Sequence, residues 1–488
     1  MAGKVALDRR RLLLIHPLGY DASKAGRDIS RIANLMPPLG IASIAAYLEQ
    51  HGFPTHLIDC FAHPDSDRTI DEWMASERPA YVGVSCTTTG FPDARRILKH
   101  LKQKNPGLTT IVGGPHISAM GEQVLQECPE IDIAIVGEGE QPLRALLEAD
   151  GVPEGILGMV WRREGMPVFE GVQKDLVILD ELPFPAYAKL AGFPHVYQLP
   201  IFSYPRTPSV SCLSSRGCPY QCSYCDRSVF RRSFRFNSAE YLYRHLSWLR
   251  SEFGIRHVIF YDDQFTFHRE RIVEFCKMIL DKPLGMTFNC AVRAEHVDRE
   301  LLALMKRAGC WMISLGIETG DPDLLARHRQ NPDLEVIAQV IRDIHSLGMR
   351  VKGLLMLGLP GETEETFQRT MDYVFSLPID DVNLTKFTPF PGSPLYESIH
   401  ESGTFEEDWE SMDCMTTVFV PDGLTRERME ELFLAFYKRH FKQPRILWSY
   451  VTMLWKSPDS WRRFLLNLGS FLRFAFKPKR IGDGGGGA

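Results

Sequence analysis

Three cysteines lie within eight residues of this sequence, in the stretch RGCPYQCSYC at residues 216–225. Cys218, Cys222 and Cys225 are separated by three residues and then by two. Thiolate sulfur is a soft ligand that selects zinc or iron–sulfur clusters. A structural zinc needs four ligands, and the nearest fourth thiol, Cys212, lies in the preceding predicted strand. A cubane cluster is usually held by four cysteines, so three leave one iron open, as a catalytic cluster requires. Zinc and three unrelated buried thiols remain the alternatives.

The cysteine loop follows the first of six predicted strands in the second half of the chain. These strands alternate with helical segments and read SVSCLSSRG, HVIFYDDQF, MTFNCAVRA, WMISLGIET, RVKGLLMLGLPG and DVNLTKFTP. Six consecutive βα units predict a partial barrel, whose functional groups lie on the loops after the strands. We therefore expect the cysteine loop and the ends of the later strands to face one site.

The C-x3-C-x2-C spacing, the aromatic Tyr224 before the last cysteine and the βα repeats resemble the radical S-adenosylmethionine (SAM) enzymes. The resemblance implies that the three cysteines hold a [4Fe–4S] cluster whose open iron binds the amino and carboxylate groups of SAM, with Tyr224 beside the cofactor. It also implies an external electron donor of the flavodoxin or ferredoxin type, whose electron cleaves SAM to a 5′-deoxyadenosyl radical. In such enzymes the cofactor supplies the radical chemistry and the protein holds it in place.

The same resemblance assigns SAM contacts to residues at the ends of the later strands. Asp262 and Asp263 end the second strand, where acids meet the SAM amino group. Arg293 ends the third strand, where a cation meets the SAM carboxylate, and Glu318 ends the fourth, where the family contacts the ribose or methionine of SAM. A solvated acid pair at the second strand and a structural salt bridge at Arg293 are the alternatives.

Residues 10 to about 150 alternate short apolar strands with helices, from RLLLIH to IDIAIVGEGE. This alternation predicts an α/β fold with a doubly wound parallel sheet, similar to the Rossmann fold. The strands are almost continuously apolar, as expected when helices cover both faces. Ligands of such sheets lie beyond the carboxyl ends of the strands. Here those ends are the segments SCTTTG, GGPH and GEGE.

This first region resembles the cobalamin-binding domain that is often fused ahead of a radical SAM barrel. The family pattern of Ser-x-Leu and a later Gly-Gly is matched by Ser85, Gly113 and Gly114, although Thr87 replaces the leucine and the spacing is one or two residues short. The resemblance implies that these four residues and Gly137 contact cobalamin. Glycines would let the nucleotide tail of the cofactor approach the backbone closely. A flavodoxin-like domain without a cofactor is the alternative.

One departure concerns the ligand of cobalt. Cobalamin domains that bind cobalt through histidine carry Asp-x-His-x-x-Gly; here His16 and Gly19 fit, but Leu14 occupies the aspartate position. A carboxylate usually orients a metal-binding histidine. We therefore expect cobalt to have no protein ligand from below, and His16 to be an ordinary residue at a strand end.

Length and cysteine usage predict a cytoplasmic protein of several domains. The 488 residues exceed the size of a single core, and no signal-peptide pattern precedes the first strand. Eleven cysteines, an odd number scattered through apolar segments, argue against a secreted disulfide framework. The predicted units are the cobalamin domain at 1–150, a linker with a hairpin turning at Glu164 and Gly165 at 151–205, the barrel at 206–410 and a helical region at 411–488.

The C-terminal tail is basic and aromatic. Between Lys438 and Arg480, eleven Lys or Arg residues accompany one acid, Asp459, so this segment carries +10 in a chain of net charge −5. Its apolar run ILWSYVTMLW is far shorter than the roughly 20 residues of a spanning helix. An interfacial helix attracted to anionic lipid, on the inner face of the membrane, fits this composition. One alternative is a docking helix with a solvated basic face. A nucleic-acid contact could use the same residue types, but we expect no nucleic acid as a partner.

Together the resemblances imply a cobalamin-dependent radical SAM C-methyltransferase that acts on an unactivated carbon of a small hydrophobic molecule, such as an isoprenoid lipid or a tetrapyrrole. Methylcobalamin would supply the methyl group, and a second SAM would remethylate the cobalt. Cyclisation and oxidative rearrangement are the alternative reactions, and a cobalamin carrier or sensor with a structural barrel is the alternative from another class. A tRNA-modifying enzyme would need an RNA-binding module that the tail does not present. The sequence specifies no catalytic residue, substrate or oligomeric state.

Overall fold

The computed structural model describes residues 7–19 and 34–469. Two α/β layers follow one another along the chain, and helices follow the second layer. The part of the predicted basic tail beyond residue 469 lies outside the described residues.

The first layer is a seven-stranded sheet. Its strands are β1 (Asp8–His16), β2 (Thr55–Asp59), β3 (Pro79–Ser85), β4 (Thr109–Gly113), β5 (Ile133–Ile135), β6 (Met159–Arg163) and β7 (Met166–Phe169). Their order is β2-β1-β3-β4-β5-β6-β7, with β1 to β5 parallel. The helices are α1 (Leu39–Gln50), α2 (Ser66–Glu77), α3 (Phe91–Lys104), α4 (Pro115–Glu127) and α5 (Glu140–Glu148).

Helices cover both faces of this sheet. Along β1, Leu12 and Leu14 join an apolar cluster with α1 and α5, whereas Leu13 and Ile15 join the cluster on the other face with α2, α3 and α4. Successive side chains of a strand point to opposite faces, so a strand buried on both sides must be apolar throughout. The predicted doubly wound parallel sheet is confirmed.

The predicted hairpin extends this sheet. β6 pairs antiparallel with β5 and continues into β7 through Glu164 and Gly165, which have φ values of 52° and 85°. Positive φ at both central residues is typical of the tight hairpin turns that match the twist of the flanking strands. The predicted turn is therefore present, but its strands belong to the first sheet and not to a linker, because β5 offers β6 an unpaired edge.

The second layer contains the six strands predicted for the partial barrel. The remaining strands among the described residues are β8 (Ser209–Cys212), β9 (Ser215–Arg216), β10 (Arg235–Phe236), β11 (His257–Phe260), β12 (Thr287–Val292), β13 (Cys310–Glu318), β14 (Arg350–Leu357), β15 (Asp381–Lys386), β16 (Gly403–Phe405) and β17 (Phe419–Pro421). The sheet order is β15-β14-β13-β12-β11-β8, and every pair is parallel. The two ends of this order do not pair, so the barrel is a half barrel, as predicted.

Helices pack on the outside of the half barrel. They are α6 (Ala239–Phe253), α7 (Arg269–Asp281), α8 (Arg299–Arg307), α9 (Pro322–His328), α10 (Leu334–Ser346) and α11 (Glu364–Ser376). These helices and the strands share one large apolar core. β9 and β10 form a separate antiparallel ribbon, and so do β16 and β17.

The described part of the tail folds as three helices, α12 (Arg426–Phe441), α13 (Pro444–Lys456) and α14 (Pro458–Leu466). α13 and α14 lie at the amino-terminal ends of the barrel strands, whereas α12 runs along β15 from its carboxyl end, where Glu430 contacts Lys386. Ser449 accepts a hydrogen bond of 2.8 Å from Arg350, the first residue of β14, and lies 3.2 Å from Asp380, just before β15. Thr207, just before β8, donates to Asp459 at 2.6 Å. No helix of the described chain is both long enough and apolar enough to cross a bilayer.

The segment between the barrel and the tail folds back onto the first layer. The Trp409 ring lies 5.4 Å from the Phe91 ring and 4.7 Å from the His116 ring, measured between centroids. Phe91 and His116 begin α3 and α4, so the chain returns to the first sheet after the last barrel strand.

Candidate active site between the two sheets

The three cysteines lie on the loop between β9 and β10. Cys222 is buried, Cys218 is half-buried and Cys225 is exposed. The loop begins at Gly217, which has a φ of 87° and where a Cβ atom would collide with the carbonyl oxygen of Ser233. Only glycine combines this backbone conformation with so close an approach. The backbone conformation just before Cys218 therefore requires glycine at position 217.

The thiols are not arranged around a single ion. Among the described residues, no three Cys, His, Asp or Glu side chains converge to hold one metal ion. The cysteines of a cubane bind different iron atoms and therefore surround the cluster. Burial raises the pKa of Cys218. A cluster would offset that cost, because metal binding deprotonates a thiol.

A buried histidine fastens the loop to the barrel. The backbone N–H of Ser223 donates to the carbonyl of His328 at 3.0 Å, and its hydroxyl lies 2.8 Å from His328 Nδ1. His328 Nε2 lies 2.8 Å from the carbonyl oxygen of Pro360, which can only accept, so Nε2 carries the proton and Nδ1 accepts from Ser223. Burial lowers the pKa of His328, which keeps the ring neutral. The centre of the cysteine loop is thus tied to α9 and to the loop after β14.

Arg293 lies directly against the cysteine loop. Its guanidinium is 3.7 Å from Cys222 Sγ and 3.8 Å from the centroid of the Tyr220 ring. It also donates to the carbonyl of Gln330 at 2.5 Å and pairs with Glu295 at 3.4 Å. The structure therefore shows the salt bridge that was the alternative for Arg293, and it also places the cation beside a cysteine sulfur. Its predicted contact with the SAM carboxylate stays a prediction.

The two acids after β11 have different surroundings. Asp262 is buried and accepts hydrogen bonds from the backbone N–H groups of Ser214 at 2.6 Å and Ser215 at 3.1 Å, as well as from the Ser214 hydroxyl. Asp263 is exposed. Burial raises the pKa of Asp263, and the backbone N–H of Gly217 acts in the opposite direction. Asp262 therefore holds the start of the loop, whereas the Asp263 carboxylate is the one left facing the site.

Glu318 and Tyr224 meet at the end of β13. Glu318 has a φ of 65°, which is strained for a residue with a side chain, and lies at an irregularity in the pairing with β14. Burial raises its pKa, while Arg329, Arg293 and a hydrogen bond from Tyr224 act in the opposite direction. The strained backbone thus turns this carboxylate toward the residue that precedes the last cysteine.

A cavity of about 270 Å³ lies between the carboxyl ends of the first sheet and the cysteine loop. Four of the five residues predicted to contact cobalamin line it, namely Ser85, Gly113, Gly114 and Gly137. Gly114 has a φ of 102°, and a Cβ there would collide with the carbonyl oxygen of Cys86. Thr87 is not among the lining residues; it is exposed, and its hydroxyl lies 3.2 Å from that of Thr89. Thr87, which replaces the leucine of the cobalamin-binding pattern, therefore does not line the cavity.

His16 does not line this cavity, although Leu14 does. The Nδ1 atom of His16 lies 2.9 Å from Asp59, which also accepts a hydrogen bond from the Tyr197 hydroxyl at 3.0 Å. A neighbouring strand thus supplies the carboxylate that is missing at position 14. His16 is the last residue of β1, and the expectation that it does not bind cobalt stays a prediction.

Arg216 is a candidate functional residue that the sequence analysis missed. Its guanidinium pairs with Glu140 at 2.6 Å and also with Glu138, which a second cation, Arg235, contacts as well. Glu138 lies between β5 and α5, Glu140 begins α5, and the two arginines flank the cysteine loop, so four charged groups join the two layers. Arg216, Glu138 and Glu140 also line the cavity. Two features of the sequence could have indicated this pairing, the GEGE segment and the arginine two residues before Cys218. The sequence alone does not show that these two features contact each other.

The charges of this interlayer network are buried. The side chains of Glu138, Glu140 and Arg216 are 6%, 4% and 15% exposed. Burial acts to raise the pKa of Glu140, but Arg216 overcomes this effect and lowers the pKa below its ordinary value. Glu140 is therefore an ionised partner of Arg216 at neutral pH.

Comparisons with known proteins agree with this arrangement. The B12 binding domain model matches residues 28–147, and the Radical SAM superfamily model matches residues 213–374. The chain is 28% identical over 419 residues to an uncharacterised methyltransferase of Pyrococcus horikoshii, covering 84% of this chain and 89% of that protein. It is 27% identical over 482 residues to the anaerobic magnesium-protoporphyrin IX monomethyl ester cyclase of Rubrivivax gelatinosus, covering 96% of this chain and 83% of that protein.

The fold is also that of a solved structure. The cobalamin-dependent S-adenosylmethionine radical enzyme OxsB, with aqua-cobalamin and S-adenosylmethionine bound, superimposes with a TM-score of 0.70 at 18% identity, covering 97% of this chain and 77% of that chain. The doubly wound sheet coincides with the match to the B12 binding domain model, and the half barrel with its three-cysteine loop coincides with the match to the Radical SAM superfamily model. The chain belongs to the cobalamin-dependent radical SAM enzymes. The predicted cofactors, a [4Fe–4S] cluster, SAM and cobalamin, are confirmed with it.

Proposed function

We propose that this chain is a C-methyltransferase that modifies an unactivated carbon of a small molecule. The observation that carries the proposal is the Arg216 network, because it places the cysteine loop across one cavity from the cobalamin-side glycines. When bound, the cluster and SAM supply a radical that removes a hydrogen atom from the substrate, and cobalamin supplies the methyl group. The radical and the methyl group must both reach one substrate carbon. The cavity meets this requirement because residues of both layers line it.

Individual residues have distinct proposed tasks. The ligands of the cluster are Cys218, Cys222 and Cys225, held in place by Gly217 and by the His328 anchor. Asp263 faces the amino group of SAM, and Arg293 offers positive charge beside the cluster. The proposed contacts with cobalamin, on the other side of the cavity, are made by Ser85, Gly113, Gly114 and Gly137.

The prediction of a hydrophobic substrate drew on the basic aromatic tail. The basic, aromatic helices α13 and α14 lie at the amino-terminal ends of the barrel strands, whereas functional groups of such barrels lie at the carboxyl ends. The tail therefore gives no argument about the substrate. What the fold supports is a small molecule and an external one-electron donor, for which the flavodoxin or ferredoxin type remains the proposal, as does the cytoplasmic location.

Cyclisation or oxidative rearrangement is the second candidate. It is favoured by the similarity to the magnesium-protoporphyrin cyclase, which extends over 96% of this chain. A cobalamin carrier without catalysis is disfavoured. Such a protein would not need three thiols on one loop, nor a buried histidine that anchors that loop to the barrel.

The test is anaerobic reconstitution with iron, sulfide, cobalamin, SAM and a reductant, followed by mass spectrometry of the products. Bound cobalamin with both 5′-deoxyadenosine and S-adenosylhomocysteine supports methylation. Bound cobalamin with 5′-deoxyadenosine alone supports cyclisation or rearrangement, and the absence of both products supports the carrier. Cys222→Ala should abolish the brown colour of the cluster and SAM cleavage. Cys414→Ala, which removes a half-buried thiol far along the sequence from the loop, should preserve both.

A further inference from the structure

The outward face of helix α13 is apolar. Trp448 and Trp455 are 64% and 62% exposed, and Leu447, Val451 and Leu454 are exposed with them. Residues three, four and seven positions apart lie on the same side of a helix. These five residues form what we call the tail surface. Large apolar side chains exposed together on a protein mark an interaction site.

The orientation of this face is fixed by the opposite side of the helix. Ile446 and Met453 are 1% and 0% exposed and point into the protein. Ser449 is held by Arg350 and by Asp380 at the base of the barrel. Because α13 is anchored along its inner side, the tryptophans on its outer side present a stable surface to whatever lies outside.

The charges around the tail surface are positive. Lys442, Arg445, Lys456 and Arg462 are all exposed. The only acid of the sequence between residues 438 and 469 is Asp459, which accepts a hydrogen bond from Thr207. A partner that matches this surface must be apolar within and anionic at its edge.

We propose that the tail surface inserts into the interface of an anionic lipid bilayer. Tryptophan favours the interface of a membrane, where its ring is apolar and its N–H is hydrated. Lysine and arginine beside an apolar helix face are attracted to anionic headgroups, and insertion of such a face buries its apolar side chains. This contact occurs at the amino-terminal ends of the barrel strands, so it tethers the enzyme and leaves the cysteine loop directed away from the bilayer.

The experiment measures binding of the full chain to vesicles of phosphatidylcholine with and without phosphatidylglycerol, by co-sedimentation and by the emission of tryptophan. We expect binding to the mixed vesicles, a blue shift of the emission and loss of binding at high salt. Trp448→Ser with Trp455→Ser should weaken the partition by at least about tenfold. Met166→Ser, at a 66% exposed apolar residue on β7, is the matched control and should bind normally.

Two results would overturn the proposal. Equal binding of the double variant and the parent protein would show that the tail surface is not the contact. A parent protein that does not bind vesicles but forms a dimer, which the double variant converts to a monomer in light scattering, would assign the surface to a second copy of the chain. Circular dichroism of the double variant verifies its fold, and its cluster content should equal that of the parent, because the tail surface is remote from the cysteine loop.

Discussion

Removing the Arg216 charge should disrupt the connection between the two layers. Arg216→Met keeps much of the side-chain length but leaves Glu138 and Glu140 without their shared cation. Glu138 retains Arg235, whereas Glu140 retains no cation and keeps the hydroxyl of Ser43 at 3.1 Å and its own backbone N–H as donors. Breaking a buried ion pair on one side costs about 3–5 kcal/mol, because the remaining charge stays desolvated. The exposed fraction of the Glu140 side chain is 4%, so little solvent is available to reduce that cost.

Cobalamin binding is a suitable assay, because Arg216 and both glutamates line the cavity where the cofactor is proposed to bind. A titration followed by absorbance should show a dissociation constant raised by at least about tenfold, which corresponds to 1.4 kcal/mol, only part of the full penalty. Combining Arg216→Met with Glu140→Gln should recover much of the affinity, since no uncompensated charge then remains. Arg232→Met, at an exposed arginine between the last cysteine and β10, is the matched control. A normal dissociation constant for Arg216→Met, or a double variant weaker than the single one, would refute the reasoning.

Three further changes test the site. Gly217→Ala should abolish iron and sulfide binding because of its collision with the loop, whereas Gly254→Ala, also at positive φ but with open space around it, should keep both. Glu362 is fully buried in the loop after β14, where it accepts a hydrogen bond from the backbone N–H of Gly358. Burial raises its pKa to about 8, above its unfolded value of about 4.3, so the free energy of unfolding should fall as the pH rises between these two values. The melting temperature of Glu362→Gln should therefore change less between pH 6 and pH 9 than that of the parent. Tyr224→Phe removes a hydrogen bond to Glu318 and should weaken SAM binding by roughly fivefold in calorimetry of cluster-loaded protein; an unchanged affinity contradicts the assigned contact.

The fold followed from the sequence because its signals are local. Strands such as YVGVSC and TTIVGG are mostly apolar, as burial on both faces favours, and the spacing of Cys218, Cys222 and Cys225 is a short pattern. The hairpin at Glu164 was found from its turn, but its pairing partner depends on which sheet edge is open, and the sequence does not record that edge.

The site was harder to predict because its groups come from distant parts of the chain. Asp262 and Asp263 are adjacent in sequence, yet Asp262 accepts hydrogen bonds from the serine backbone, whereas Asp263 is exposed in the turn after β11. Arg216 and Glu140 are 76 residues apart, and nothing in either segment identifies the other as its partner. Contacts of this kind become visible only when the two layers are placed side by side.

The fold-back at Trp409 affects the order in which this enzyme can assemble. The first sheet is synthesised before the barrel, and the Trp409 segment leaves the ribosome after both have been made. Until that segment closes on Phe91 and His116, the two layers are joined by one connection fewer. We expect the layers of a chain cut short before Trp409 to separate more readily than those of the mature chain, so the joint between them is completed only when nearly the whole protein has been made.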